Sequence, residues 1–76
     1  MHNFDDILKH ILSESAVLTA DSHGLARAGL CDAREQQIAG MVSLAVLLWL
    51  PASFIEALDE HRYALVDEAT RSRSGR

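Results

Sequence analysis

The stretch AVLTADSHGLARAGL, residues 16–30, decides the fold class. Two short apolar runs, 16–20 and 25–30, flank the polar tetrad Asp21, Ser22, His23, Gly24. Four turn formers in succession interrupt a helical stripe. A four-residue connection ending in glycine suits a type I turn, or one followed by a left-handed Gly. Val17 and Thr19 are β-branched and favour a strand in the first run, whereas the Ala- and Gly-containing second run favours it less. The stretch therefore predicts a β-hairpin. The alternative, helices on both sides of the turn, makes the chain an all-α bundle of three or four helices.

Before this stretch, Phe4, Ile7, Leu8, Ile11 and Leu12 form one apolar stripe over residues 3–13. Asn3 is a suitable N-cap, and Asp5 and Asp6 suit the positive end of a helix dipole. Lys9 and His10 fall on the wet side. After it, residues 33–50 read as a second helix, with Asp32 and Glu35 spaced for a capping box. Ile38, Met41, Val42 and Ala45 line one side of it. From Leu44 the run LAVLLWL is apolar around the whole circumference, which requires cover on every side. Pro51 makes Leu50 a boundary. Ser53 and Glu56 then form a second capping box, opening a third helix over 54–69. Ile55, Leu58, Leu65, Val66 and Ala69 are its inner stripe, interrupted by Arg62. Glu56, Asp59, Glu60, Asp67 and Glu68 give it an acidic outer face. The expected domain spans 1–70, followed by a flexible basic tail, 71–76.

The order is then helix, β-hairpin, helix, helix, an α+β domain. FDDILKHIL, the strand-turn-strand from Ala16, Val17 and Leu18 through 21–24 to Leu25 and Ala28, and the helix carrying Ile38, Met41, Val42 and Leu44 resemble the first half of a Roadblock/LC7 (MglB-like) domain. The resemblance covers residues 4–48. It implies a non-enzymatic, homodimerising scaffold or small-GTPase regulator. The chain departs from that pattern at Pro51, where the family continues with further strands.

With 76 residues, the chain is one small domain of a size that usually relies on a disulfide, a metal or a partner subunit. Cys31 is the only cysteine, which excludes an internal disulfide and fits a reducing compartment. The histidines at 2, 10, 23 and 61 show no metal-ligand spacing. A homodimer is therefore expected, with Met41, Val42, Ala45, Leu48, Trp49 and Leu50 as the interface. A net charge of −4 disfavours direct nucleic-acid binding. An acidic third helix would likewise repel DNA if it served as a reading helix. No secretory signal is seen at the start. The apolar stretch 38–52 falls short of the roughly 20 residues a bilayer span needs. Residence in the cytoplasm, away from membranes, is expected.

Candidate chemistry is sparse. Cys31 beside a helix start, with His23 nearby in sequence, outlines a thiol nucleophile only if space brings the two together. Asp6 and His10 form half a metal site at most. No catalytic, cofactor or metal site is expected. The sequence favours a regulatory or adaptor module that binds protein. The second reading is a small acidic inhibitor of a basic or nucleic-acid-binding protein, phage-encoded for example, acting through the acidic face of the third helix. A thiol-dependent or metal-binding protein is the third.

Overall fold

A computed structural model describes residues 3–74. It holds three helices, α1 (Phe4–Thr19), α2 (Gly24–Leu47) and α3 (Ala52–Arg73). The predicted hairpin is absent: among the described residues there is no strand, and both flanks of the DSHG turn are helical. The bundle is therefore all-α, and the strand-turn-strand implied by the Roadblock resemblance is not present. It measures 40 × 21 × 14 Å, and its length is close to that of α2 itself, about 1.5 Å per residue.

Asn3 caps α1 as expected, its side chain accepting from the Asp6 N–H at 2.9 Å. The helix then runs past residue 13 because Ser15 and Thr19 continue the inner stripe. Each hydroxyl donates to the carbonyl four residues back, Ser15 to Ile11 (3.2 Å) and Thr19 to Ser15 (3.1 Å). A short hydroxyl side chain satisfied by its own helix can be buried at little cost. The predicted stripe is redistributed accordingly. Ile11 is buried, Leu8 packs on the core, and Ile7 and Leu12 lie largely outside it. Phe4 stacks on Phe54 of α3, ring centroids 5.1 Å apart.

The DSHG tetrad does turn the chain, but between helices. Gly24 takes φ +57° as α2 begins, a conformation that costs glycine nothing. The Thr19 carbonyl at the end of α1 accepts from the Ser22 hydroxyl and the Arg27 guanidinium, both at 2.7 Å. α2 starts nine residues earlier than the pattern suggested, so Asp32 and Glu35 lie in mid-helix and cap nothing. Ser53 and Glu56 likewise lie inside α3, whose N-cap is Pro51 without a side-chain cap bond.

α2 and α3 form an antiparallel hairpin with α1 laid along it. Ile38 and Leu58, both 0% exposed, meet at the centre with Cys31, Leu65, Ala28 and Ala69. Ion pairs tie the two long helices: Arg27 to Glu68 (2.7 Å), Glu35 to Arg62 (2.9 Å) and Asp32 to Arg73 (2.7 Å). Arg71 also bonds Glu68, so 71–73 of the expected tail form the last turn of α3. Residues 75 and 76 of that tail, and His2, lie outside the described residues.

Candidate functional site

The α2–α3 corner is built by the backbone of residues 45–50. The Leu50 N–H donates to the Ala45 carbonyl (3.0 Å) and the Trp49 N–H to the Val46 carbonyl (3.2 Å). These two bonds define a Schellman cap, and they place Trp49 at the position that needs left-handed backbone, φ +59°. Glycine is the usual occupant there. For a bulky side chain the conformation costs roughly 1–2 kcal/mol. Leu50 folds back onto the core and Pro51 prevents α2 from continuing. Trp49 itself projects outward, 93% exposed, with Leu47 (74%), Leu48 (59%) and Leu44 also exposed at this end.

The six residues expected to form an interface thus divide into two sets. Ala45 is buried, and Met41, Val42 and Leu50 pack on this chain's own core. Leu48 and Trp49 alone are exposed. The acidic residues of α3 divide as well. Asp59 bonds Arg62 (2.9 Å) and Glu68 bonds both Arg27 and Arg71, whereas Glu56, Glu60 and Asp67 are exposed without an ion pair among the described residues.

A second constellation, outside the residues singled out from the sequence, is a polar clamp at the junction of all three helices. Arg34, 6% exposed, donates from Nε to Ser15 Oγ (2.8 Å), from one terminal nitrogen to the Ile11 carbonyl (3.0 Å) and from the other to Gln37 Oε1 (3.0 Å). Ser15 Oγ also lies 2.7 Å from His61 Nε2. Burial, and then the Arg34 charge, hold the His61 pKa below its ordinary value. A serine 2.7 Å from a neutral histidine suggests a nucleophile and its base. Here, however, the Ser15 hydroxyl is 4% exposed and held by Arg34, His61 and the Ile11 carbonyl together. One hydroxyl offers one donor and two acceptors, so the cluster occupies it fully. Ser15 acts as a joint between helices. The signal for it in the sequence is the pair Arg34 and Glu35, set between core residues Cys31 and Ile38 at helical spacing.

The residues weighed for chemistry are dispersed. Cys31 is buried in mid-α2, where desolvation raises its pKa and keeps the thiol protonated. His23 is exposed at the start of α2, and His10 faces Glu14 at 3.4 Å on the wet side of α1. Among the described residues no three His, Cys, Asp or Glu side chains gather into a metal-binding group. A groove of about 520 Å³ beside the DSHG turn is lined by Arg27, Arg71 and Glu68, whose charges are already paired. Among the described residues no helix is long and apolar enough to cross a membrane. No family model, curated protein or solved structure matches the chain.

Proposed function

We propose that this chain is a non-enzymatic protein–protein interaction module of the regulatory or adaptor kind, presenting the 47–49 corner to an apolar pocket on a protein partner. One observation carries the reading. The largest side chain of the protein stands 93% exposed on a backbone position that suits glycine. Trp49 gains almost nothing from its own fold there and strains it. Residues held in sparsely populated backbone conformations cluster at functional sites, and tryptophan is among the residues most often dominant in protein interfaces. Leu47 and Leu48 extend the same apolar surface.

Trp49 is the only tryptophan, so its fluorescence reports on the corner directly. Proteins captured from the native extract are identified, purified and titrated against the chain. Binding is expected to shift Trp49 emission to the blue, to shield it from a soluble quencher and to persist at high salt. Trp49→Gly is expected to abolish that binding while stabilising the fold by about 1 kcal/mol through relief of the left-handed strain. A captured partner that binds Trp49→Gly equally well overturns the reading. A partner lost as salt rises points instead to the acidic face of α3 and to the inhibitor reading.

A further inference from the structure

The outer face of α2, opposite α3, carries no charge. All four charged residues of the helix are held within the chain: Arg27 by Glu68, Asp32 by Arg73, Glu35 by Arg62, and Arg34 by Ser15, Gln37 and the Ile11 carbonyl. Leu30, Ala33, Gln37, Gly40, Leu44 and Leu47 lie on the outer face, all exposed, in alternating steps of three and four. Such spacing keeps a seam aligned with another helix over its whole length. It spans about 25 Å, at 1.5 Å per residue.

Two features say what covers this seam. Its order is close to palindromic about Gln37: leucine, small residue, glutamine, small residue, leucine from 30 to 44. A two-fold contact must be self-complementary, and in this order leucine meets leucine, small residue meets small residue and glutamine meets glutamine. The second feature is the glycines. Gly29 and Gly40 lie inside a helix, where glycine costs roughly 0.5–1 kcal/mol relative to alanine. Around each, a Cβ would meet nothing within 4 Å. The chain's own packing does not use the space they leave, whereas a close helix crossing does. A chain of net charge −4 also repels its own copy, so a seam free of charge is the favourable place for two copies to touch.

We infer that α2 pairs antiparallel with α2 of a second copy, with Gln37 on the two-fold axis, Leu30 against the partner's Leu44 and Ala33 against the partner's Gly40. This deepens the reading of the chain as an interaction module by naming one partner, and it uses residues other than Trp49. The seam offers only three leucines per copy, so the dimer is expected to dissociate on dilution.

Sedimentation equilibrium of the full chain across micromolar to millimolar concentration tests it, alongside Gly40→Glu and Trp49→Gly. The wild type and Trp49→Gly are expected to dimerise. Gly40→Glu is expected to remain a helical monomer, its folding checked by circular dichroism. In a Cys31→Ala background, Gln37→Cys is expected to give a disulfide-linked dimer on oxidation and Leu30→Cys none. A wild type that stays monomeric at millimolar concentration overturns the inference, as does an undiminished dimer in Gly40→Glu. Cross-linking at Leu30→Cys but not at Gln37→Cys overturns the antiparallel register. Loss of the dimer in Trp49→Gly alone assigns self-association to the corner and overturns the α2 seam, leaving the corner reading intact.

Discussion

The two sides of α2 differ in a way that inverts the usual amphipathic helix. Its inner side holds Ala28, Cys31, Ile38 and Ala45, but also the charged Arg34 and Glu35, with Arg27 and Asp32 at its edges. Its outer side is exposed and uncharged. On an ordinary surface helix, charge faces water and supplies solubility. Here the charges serve as ties to α1 and α3. The outer side is left free of the desolvation cost that charged residues impose on any helix docking there.

The sharpest break in this comparison falls between two positions separated by one residue. Ile38 is 0% exposed at the centre of the core. Ile38→Ala is expected to cost about 2–5 kcal/mol, against a total of roughly 4–11 kcal/mol for a domain of this length. Gly40→Ala is expected to stabilise the helix by up to about 1 kcal/mol, since nothing stands near its added Cβ. Urea unfolding of both variants checks the pair. Equal losses would mean that the outer face is already packed in the monomer.

The sequence revealed the punctuation of this fold better than its elements. The Asn3 cap, the DSHG turn and the break at Pro51 are local, set by a few residues each; the first two stand where expected, and α2 ends at Leu47, three residues before the boundary the proline implies. The helices beside the turn were hidden because polar residues occupy their inner faces. Ser15 and Thr19 end the apolar stripe of α1 on paper, and Arg34 and Glu35 interrupt that of α2. Only the partners supplied by the fold make those positions tolerable. The 41–50 run, apolar around its circumference from Leu44, divides into a side that faces the core and a side that faces out. The outward aim of Trp49 follows from cap geometry, which composition does not encode.

The clamp gives a second way to test the inner side. Arg34→Met keeps much of the apolar stem but removes the donors that reach Ser15 Oγ and the Ile11 carbonyl. Hydrogen bonds to a charged group contribute about 1.5–3 kcal/mol, and Arg34→Met is expected to cost about 2–3 kcal/mol. Amide exchange is expected to show the release, with faster exchange over residues 8–19 than over α2 and α3. Uniform acceleration across all three helices would mean that α1 does not depend on the clamp.

The smallest effect is one of pH, and the pH at which it begins separates the clamp from the ion pairs around it. His61 has a folded pKa below its ordinary value of about 6.5, first through burial and then through the Arg34 charge. It faces Ser15 of α1 and Arg34 of α2. As pH falls through 6.5 the unfolded chain takes up this proton before the folded chain does, so stability falls from there down to the folded pKa. Glu68, with its pKa lowered by Arg71 and then Arg27, favours the folded state above about 4.5 and loses that contribution as pH falls through its folded value. The loss from His61 begins at about 6.5 and the loss from Glu68 only at about 4.5. Stability measured in urea between pH 7 and 5 is expected to decline in the wild type and to decline less in His61→Gln, whose amide can still donate to Ser15 Oγ. Glu68→Gln is expected to leave that upper window unchanged and to flatten the loss below it. Identical slopes for His61→Gln and the wild type between pH 7 and 5 would mean that protonated His61 sits in the clamp without penalty, and that Arg34 and Ser15 hold the three helices together regardless of its charge.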